Sequence, residues 1–226
     1  MRSRGLVSLL AGALLAAGLT LPAAAQSKAE EAQRTLDAAR TTLSNFVSDP
    51  DMKWLKEHLR EAKGILIVPN QNKGGFIFAG SGGVGVLFTR DGKGGWNGPA
   101  FYRLGSVSVG FQIGGEHSEV ILFVHSQKGA DSFLASSVKL GGEASVAAGP
   151  VGQGAQASTA DILSFSRSKG AFVGASLEGT LVKPAQDLND AFYGKEASPV
   201  DILVRGEGDG TKAQPLKKDL EAAAGR

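Results

Sequence analysis

The sequence predicts an α+β fold in which a Gly-rich, mostly antiparallel sheet packs with helices from the two ends of the chain. Helical apolar periodicity occurs at both ends, whereas residues 65–183 consist mainly of short runs of Val, Ile, Leu and Phe between turn residues. The 32 glycines are interleaved with these runs, which is typical of closely packed strands and tight turns. About 200 residues suffice for one domain with a substantial core.

A motif that occurs twice indicates that the sheet is built from two related halves. In the first copy, Ile65-Leu66-Ile67-Val68 leads into Lys73-Gly74-Gly75-Phe76-Ile77. In the second, Ile162-Leu163 leads into Lys169-Gly170-Ala171-Phe172-Val173. A pattern repeated at long range indicates two related supersecondary units in one chain.

Residues 1–25 have the pattern of a secretory signal peptide. Two arginines precede an apolar run from Leu6 to Leu21, and Pro22–Ala25 offers a small-residue cleavage site before Gln26. A membrane anchor is the alternative, but a spanning helix needs about 20 apolar residues. We therefore expect an exported, periplasmic protein. The sequence has no cysteine, which excludes disulfides and a lipid-modified N-terminal cysteine.

Cleavage of the signal peptide would change the net charge from +2 to zero, because residues 1–25 hold two of the 24 basic residues and none of the 22 acidic ones. A neutral chain gives no support to nucleic-acid binding. Charge is nevertheless uneven, since residues 64–103 carry four basic residues and one acidic residue. This local +3 suits weak binding to an anionic surface, and ordinary solvated charge is the alternative.

Residues 26–47 form the predicted N-terminal amphipathic segment, with a helix over 27–47. Its apolar residues follow steps of three and four and make one narrow, Ala-rich stripe. The stripe consists of Ala32, Leu36, Ala39, Leu43 and Phe46. It either packs on the domain or rests on a membrane or a partner, and packing is the more common use of such a stripe.

A second helix is predicted from Pro50 to Lys63. Ser48 or Asp49 suits the N-cap, Pro50 suits the first turn, and Gly64 suits a left-handed C-terminal cap. One face is apolar and carries Met52, Leu55, Leu59 and Ala62. One edge is basic and carries Lys53, Lys56, Arg60 and Lys63.

Strand patterns dominate from Ile65 to about Leu181. The predicted strands are 65–68, 75–79, 83–89, 101–103, 106–113, 119–124, 143–147, 162–166, 171–175 and 177–183. Between them we expect a hairpin turn over 91–95, a short helix over 129–138 and a loop over 149–157. Beyond them we expect a helix over 185–192, a strand over 200–204, a loop over 206–212 and a helix over 216–223.

Gly80-Ser81-Gly82-Gly83-Val84-Gly85 matches the dinucleotide-binding pattern GxGxxG. That fingerprint needs a helix to begin there, whereas residues 84–88 continue as a strand. Close strand packing or bulges explain these glycines better. His58, His117 and His125 lack the spacing of a metal site. Since no nucleophile, base and oxyanion donor occur together, we predict neither an enzyme nor a cofactor.

Trp96 lies in a Gly-rich hairpin whose neighbours include Arg90, Lys93 and Arg103. An exposed tryptophan beside these cations would suit a membrane interface. In the alternative, Trp96 folds over the core beside Phe101, because large aromatic side chains are highly buried on average.

Residues 30–205 resemble the lipid-binding SYLF domain family. The resemblance rests on the order and spacing of a series of motifs. These are Ala62–Pro69, Lys73–Phe76, Gly80–Gly85, Trp96–Phe101, Gly110–Gly115, Gly149-Pro150, Ser168–Phe172, Gly174–Gly179, Asn189 and Tyr193-Gly194. Asn97 departs from the Ser that the family often has after the tryptophan.

The resemblance implies a phospholipid-binding module built as a doubled BON-like α+β unit, to which an N-terminal amphipathic helix and basic residues contribute. It implies a SYLF-like domain over 48–205, followed by a C-terminal loop and helix over 206–226. Eukaryotic members of the family bind phosphoinositides, and some bind actin. Because those members are cytosolic and often carry an SH3 or FYVE domain, we do not expect actin as a partner of an exported chain.

We therefore predict an exported, non-enzymatic domain that binds anionic phospholipid or a membrane surface. The candidate contacts are basic residues and one tryptophan: Lys73, Arg90, Lys93, Arg103, Trp96, Lys53, Lys56, Arg60 and Lys63. The alternative is a structural or interaction protein of the envelope, whose Gly- and Val-rich strands pair with a partner chain.

Overall fold

The computed structural model describes residues 23–74, 78–109, 116–151, 159–168, 171–174, 177–208 and 210–225. The helices within these residues are α1 (Ala23–Ser48), α2 (Lys53–His58), α3 (Gln127–Ser132), α4 (Gln186–Tyr193), α5 (Pro199–Leu203) and α6 (Gln214–Ala223). The strands are β1 (Gly64–Gly74), β2 (Phe78–Arg90), β3 (Trp96–Val109), β4 (Glu116–Val124), β5 (Val138–Lys139), β6 (Val146–Ala148), β7 (Ile162–Ser168), β8 (Ala171–Gly174) and β9 (Leu181–Pro184). Short 3₁₀ turns cover Pro50–Met52, Leu59–Glu61 and Thr211–Ala213.

The described strands form one sheet in the order β5-β9-β3-β2-β1-β4-β7-β6, with β8 paired to β7. The β6–β7 pair is parallel, and the other described pairs are antiparallel. β1, β2 and β3 form a meander, and β4 then pairs with the other side of β1. The predicted α+β fold, with a mostly antiparallel sheet and helices from both ends of the chain, is confirmed.

Both faces of the central strands are buried. Ile65 and Ile67 pack on the face that α1, α2, α4 and α6 cover, whereas Leu66 and Val68 pack on the opposite face with α3, α5 and the segment around Phe133. β4 alternates between the two cores in the same way. Double burial explains why β1 and β4 begin or end as continuous apolar runs instead of alternating with polar residues.

β4 lies between the two copies of the repeated motif. Its residue Phe123 pairs with Ile65 of β1 on one side and with Leu163 of β7 on the other. Each of these strands is followed by an antiparallel neighbour, β2 or β8. The described parts of the two copies therefore occupy equivalent places about β4, while residues 75–77 and 169–170 lie outside the described residues.

The apolar stripe of α1 is buried in the domain. Each of its predicted residues is at most 2% exposed, and the helix contacts β1, α4 and α6. Two ion pairs reinforce this packing. Arg40 pairs with Asp219 of α6, and Lys28 Nζ lies 3.4 Å from a carboxylate oxygen of Asp187 in α4. Packing on the domain is thus the use of the stripe that the structure confirms.

The second predicted helix is divided into a 3₁₀ turn, α2 and a second 3₁₀ turn. The Asp49 carboxylate caps its start by accepting the Asp51 N–H at 2.9 Å, as predicted. The prediction for Gly64 is wrong, because Gly64 is the first residue of β1. A Cβ at Gly64 would lie 3.0 Å from the Phe88 carbonyl oxygen, so close strand packing explains this glycine.

Several predicted boundaries differ from those observed. The strand predicted over 101–103 and residues 106–109 of the strand predicted over 106–113 belong to the single strand β3, because Gly105 pairs within the sheet with both Gly82 and Leu181. Residues 110–113 lie outside the described residues. β6 and β9 are shorter than their predicted counterparts, and α3 begins and ends earlier than the predicted helix. These differences move ends of elements and leave their type unchanged.

The predicted strand over 200–204 is wrong, since this segment belongs to helix α5. Ser198 Oγ accepts the Asp201 N–H at 3.2 Å, and the Asp201 carboxylate accepts the Ser198 N–H at 3.3 Å. This reciprocal capping box, with Pro199 in the first turn, starts a helix. Val200 and Ile202 favour a strand only through their branched side chains, and the cap overrides that preference.

The GxGxxG segment lies inside β2, which continues to Arg90. A Cβ at Gly83 would lie 2.7 Å from the Asn70 carbonyl oxygen, and one at Gly85 would lie 2.8 Å from that of Ile67. Both contacts fall where the β1–β2 register shifts, between Ile67 and Asn70. The prediction that these glycines permit close packing at a bulge is confirmed.

The Asn189 side chain takes the place of a neighbouring strand beside β3. β9 pairs with β3 over Tyr102–Gly105, and Phe101 is the next residue along. Asn189 Oδ1 accepts the Phe101 N–H at 2.7 Å, and Asn189 Nδ2 donates to the Phe101 carbonyl oxygen at 3.3 Å. Because Asn189 is fully buried, this amide satisfies backbone groups that water does not reach.

Replacing Asn189 by alanine should lower the free energy of unfolding by about 1–3 kcal/mol, because the buried Phe101 N–H loses its partner. Urea denaturation followed by circular dichroism measures this loss. Asn70→Ala, at an exposed position, is the control and should change stability by no more than about 0.5 kcal/mol. Equal small effects of both substitutions would contradict the role of Asn189.

Candidate functional site

Arg90 holds together the end of the sheet at which β2 turns into β3. Its guanidinium donates to the carbonyl oxygens of Leu59 at 3.0 Å, Gly94 at 3.2 Å and Ala62 at 3.3 Å. It also lies 3.7 Å from the centre of the Trp96 ring. Arg90 thus joins the segment after α2, the hairpin turn and the start of β3 into one unit.

Lys63 is fixed at the same end of the sheet by its backbone. Its N–H donates to the Val124 carbonyl oxygen at 2.8 Å, and its carbonyl oxygen accepts the Arg90 N–H at 3.0 Å. The Lys63 side chain is exposed, as are those of Arg60 and Lys93. Among the described residues, none forms an ion pair with these three cations.

Asp91 shapes the hairpin turn and so presents Lys93. Asp91 Oδ1 accepts the N–H groups of Lys93 at 2.7 Å and Gly95 at 2.8 Å. Gly92 and Gly94 have φ angles of 74° and 98°, which glycine adopts without steric cost. The predicted hairpin turn is confirmed, and Lys93 lies exposed within it.

α5 places Val204 at this same end. The carbonyl oxygen of Leu203 accepts hydrogen bonds from Thr89 Oγ1 at 2.7 Å and from Asn97 Nδ2 at 3.1 Å. These bonds anchor the end of α5 to β2 and β3. The next residue, Val204, is 57% exposed and is the most exposed large hydrophobic residue among those described.

A groove of about 370 Å³ opens between the hairpin, α3 and the end of α5. We call it the hairpin groove; its lining includes Lys63, Arg90, Asp91, Gln127, Asp131 and Val204. We call the surface formed by Arg60, Lys63, Lys93 and Val204, together with this groove, the hairpin end. It combines exposed positive charge, one exposed apolar side chain and a polar recess.

Asp161 fixes α3 beside the groove. Ser126 Oγ caps α3 by accepting the Gly129 N–H at 2.9 Å, and it donates to Asp161 Oδ1 at 2.6 Å. Ser145 Oγ donates to Asp161 Oδ2 at 2.8 Å. These hydrogen bonds, that from Ser126 above all, hold the pKa of Asp161 well below its usual range. A charged Asp161 therefore connects α3 to the segment before β6.

The structure brings four of the predicted contact residues to the hairpin end, namely Arg60, Lys63, Arg90 and Lys93. It does not bring the other basic residues there. Lys73 lies ten residues from Lys63 along β1, about 30 Å at the usual strand rise, and its side chain lies outside the described residues. The local +3 of residues 64–103 is therefore not one continuous surface.

Arg103 is engaged at a different place. Its guanidinium donates to both carboxylate oxygens of Asp187, at 2.6 and 2.8 Å. Lys53 pairs with Glu57 on the surface of α2 at 3.7 Å. Lys56 lines another groove, between α1 and α6. These residues belong to the fold's surface away from the hairpin groove.

Two of the predicted contact residues are structural. Trp96 is 4% exposed, so the interpretation in which it folds over the core is confirmed and an interfacial Trp96 is wrong. Arg90 directs its guanidinium at backbone carbonyls and the Trp96 ring, as described above, and so does not serve as a free surface cation. Both residues lie near the hairpin end, where their described contacts hold the hairpin to the segment after α2.

Sequence reasoning missed Val204, Gln127 and Asp131. The sequence analysis places Val204 in a predicted strand, although Ser198-Pro199 followed by Asp201 signals a helix start that puts Val204 past the helix end. Gln127 and Asp131 gave no such signal. They reach the groove because β4 returns beside β1 and places α3 next to the β2–β3 hairpin.

Two features are absent from the part of the chain that the structure describes. No helix there has the length and apolar character that a membrane span requires. No three His, Asp or Glu side chains converge there as metal ligands.

Comparison with protein families matches residues 105–223 to the family described as Ysc84, Las17-binding protein actin regulator. Because the match covers just over half of the chain, the chain belongs to this family, as the resemblance to the SYLF domain predicts. Two of the family's motifs have a role in the described fold: Asn189 completes β3, and the Gly-rich segment permits the β1 bulge.

Curated relatives match nearly the whole chain. An SH3 domain-containing protein of Schizosaccharomyces pombe is 31% identical over 211 residues, which are 88% of this chain and 46% of the relative. LAS seventeen-binding protein 3 of Saccharomyces cerevisiae is 30% identical over 212 residues, 90% of this chain and 46% of the relative. SH3 domain-containing YSC84-like protein 1 of Homo sapiens is 28% identical, over 89% of this chain and 60% of the relative. The chain spans about half the length of these relatives.

Arg90→Lys should lower the free energy of unfolding by about 1–3 kcal/mol, because an ammonium lacks the planar fork that reaches three carbonyl oxygens and covers Trp96. Urea denaturation monitored by tryptophan fluorescence measures the change. Arg60→Lys, at an exposed position, is the matched control and should be neutral. If Arg90→Lys were equally neutral, Arg90 would not be the clamp described here.

The Asp187 carboxylate should stabilise the fold at neutral pH and lose this effect in acid. Hydrogen bonding from Arg103 lowers the pKa of Asp187 to about 2. A group with a lowered folded-state pKa stabilises above its unfolded pKa, about 3.9, and this contribution disappears as the pH falls through the folded value. Because Asp187 is 43% exposed, we expect no more than about 1 kcal/mol.

Urea denaturation of the wild-type protein and Asp187→Asn at a series of pH values measures this contribution. The stability gap between the two should be constant above about pH 5 and should close towards pH 2. A gap that widened in acid would contradict the assigned sign.

Proposed function

We propose that this chain is an exported, non-enzymatic domain that binds anionic phospholipid surfaces through its hairpin end. The observation that carries the proposal is the position of Val204, an exposed apolar side chain at the rim of a groove shared with Lys63. Lys93 is exposed and follows directly on Asp91 and Gly92, which line the groove, and Arg60 is exposed three residues before Lys63. An apolar side chain among cations without described ion-pair partners suits a charged membrane interface.

The expected binding is weak and sensitive to salt. A lysine or arginine near an anionic bilayer contributes about 1 kcal/mol, and the attraction is screened over about 8 Å at physiological ionic strength. Complete burial of a valine side chain contributes at least about 1.5 kcal/mol. Val204 should contribute about that much or less, because part of its surface is already buried in the free protein. Three cations and one valine therefore favour reversible, peripheral association.

In this mode α1 stays docked. Its stripe residues are buried in the core, so inserting them into a bilayer would first expose the sheet face that they cover. The hairpin end needs no such rearrangement, because its cations and Val204 are already exposed. Family resemblance favours a lipid role for the N-terminal helix, and in our proposal that helix instead supports the sheet.

A protein partner in the envelope is the second candidate. The family description speaks of Las17 binding and actin regulation, and one relative is named LAS seventeen-binding protein 3, so protein binding occurs among the proteins so named. For an exported chain, actin is not the partner we propose. The partner would instead be another envelope protein, and lipid would then be irrelevant.

Lys63→Gln combined with Lys93→Gln should weaken binding to phosphatidylglycerol vesicles by about ten- to thirtyfold, because two contributions of about 1 kcal/mol are lost. Co-sedimentation of residues 26–226 with vesicles, at low and at physiological salt, measures the affinity. Neutral phosphatidylcholine vesicles should bind neither protein appreciably.

Lys139→Gln combined with Lys183→Gln is the matched control. It removes the same charge from exposed positions on β5 and β9. β9 pairs with β3 over Tyr102–Gly105, and β5 pairs with the other side of β9. The binding of this control variant should equal that of the wild-type protein. Equal losses in both double variants would indicate a response to net charge alone and would reject the hairpin end, and no binding at any salt concentration would favour the protein partner.

A further inference from the structure

The hairpin groove carries charges of both signs, although the rim of the hairpin end is positive. Lys63 and Arg90 line it together with Asp91 and Asp131. A recess that selected a purely anionic group would not place two carboxylates in its walls, because each repels an anion. The charge pattern of the groove therefore differs from that of the surrounding surface.

Most of the polar groups in the groove are already engaged within the protein. The Arg90 guanidinium binds three carbonyl oxygens, and Asp91 Oδ1 accepts the two N–H groups of the turn. Thr89 Oγ1 and Asn97 Nδ2 both donate to the Leu203 carbonyl oxygen. These groups form the walls and have little capacity left for a ligand.

Lys63 and Asp131 are the charged side chains in the groove that can still form hydrogen bonds or ion pairs with a ligand. The Lys63 ammonium has no ion-pair partner among the described residues. Asp131 accepts one hydrogen bond, from Gln127 Nε2 to Oδ1 at 2.8 Å, and no described donor meets its Oδ2. The groove thus offers one cation and one carboxylate, with the Gln127 amide beside the carboxylate.

We propose that the hairpin groove binds the headgroup of a phosphatidylethanolamine molecule, with the phosphate at Lys63 and the primary ammonium at Asp131. This proposal rests on the proposed membrane contact, which turns the groove towards the headgroup layer. The ligand carries one negative and one positive group, and side chains of both charges line the groove. Val204 and Leu134, which also line the groove, provide apolar surface for the start of the acyl chains.

The hydrogen-bonding capacity of the ammonium separates this headgroup from its closest analogue. A primary ammonium has three N–H donors, which Asp131 Oδ2 and the Gln127 amide oxygen can accept. The quaternary ammonium of phosphatidylcholine has the same charge but no donor, and phosphatidylglycerol has no cation for Asp131. The groove should therefore prefer ethanolamine to choline at equal surface charge.

Vesicles with a fixed share of phosphatidylglycerol, and with either phosphatidylethanolamine or phosphatidylcholine as the remainder, provide the test. We expect residues 26–226 to bind the ethanolamine vesicles about three- to tenfold more tightly, the range that one ordinary hydrogen bond supplies at a solvated surface. Asp131→Asn should bring this ratio to about one. The same variant should bind the choline vesicles as well as the wild-type protein or better, because it removes a negative charge near the membrane.

Glu178→Gln is the matched control, since it removes one exposed carboxylate from the turn before β9 and should keep the ethanolamine preference. Because Asn is close in shape to Asp, a circular dichroism spectrum and a urea midpoint suffice to show that Asp131→Asn folds. Soluble glycerophosphoethanolamine, titrated into the ¹⁵N-labelled protein, should shift the amide signals of Lys63, Gln127 and Asp131 more than glycerophosphocholine does.

The outcomes separate this proposal from the proposed function. Equal binding of both vesicle types by the wild-type protein, with binding to anionic vesicles retained, would overturn the headgroup site and leave membrane contact intact. A preference for ethanolamine vesicles that persists in Asp131→Asn would assign the effect to lipid packing and would also overturn it. Loss of binding to every vesicle would overturn the membrane contact itself.

Discussion

Burial of both faces of the central sheet is the constraint on which the rest of this structure depends. Residues of β1 alternate between two cores, and each core needs its own cover of helices. Burying one Leu, Ile or Phe side chain contributes about 1.5–3 kcal/mol, and a domain has a net stability of about 5–15 kcal/mol. Exposing Leu36, Leu43 and Phe46 of α1 would therefore cost most of the stability of the domain. The N-terminal helix is therefore a structural layer of the fold. Binding to a membrane or partner uses surfaces that are exposed without any rearrangement of this helix.

The edge of β3 shows how the helices are placed. At Phe101 the amide of Asn189 replaces a strand, and at Pro99 the carbonyl oxygen accepts the Tyr193 hydroxyl at 2.8 Å. Further towards the hairpin, Thr89 and Asn97 bind the end of α5. Beyond the end of β9, hydrogen bonds that involve side chains thus connect this part of the sheet to α4 and α5. Val204 lies exposed directly after the held carbonyl group of Leu203. The chain stays close to β3 beyond it, since a Cβ at Gly206 would lie 2.8 Å from Asn97 Oδ1.

Local patterns in the sequence predict most of the helices and strands correctly, but they do not predict which basic residues lie together on the surface. The stripe of α1, the Asp91–Gly95 turn and the Gly-rich β2 were predictable because neighbouring residues determine each of them. The strand predicted over Val200–Val204 is wrong because the Ser198 cap outweighs the preference of branched side chains for a strand. The grouping of Lys73, Arg90 and Arg103 failed for a different reason. The direction of β1 separates Lys73 from the other end of the strand. The Asp187 partner of Arg103 is 84 residues away in the sequence. Local spacing in the sequence reveals neither the separation nor the ion pair.

The basic residues of the hairpin region therefore differ in whether their charge is already bound within the protein. The Arg90 guanidinium donates to carbonyl oxygens and stacks on the Trp96 ring. The Arg103 guanidinium is paired with both carboxylate oxygens of Asp187. An interaction with an external anion would have to compete with those bonds, at a cost of about 1–3 kcal/mol for each charged group left unpaired. Lys63, Lys93 and Arg60 carry no such cost, because their side chains are solvated in the free protein. The fold uses its arginines at 90 and 103 to set the shape of the surface, and it leaves the cations around that shape available for binding.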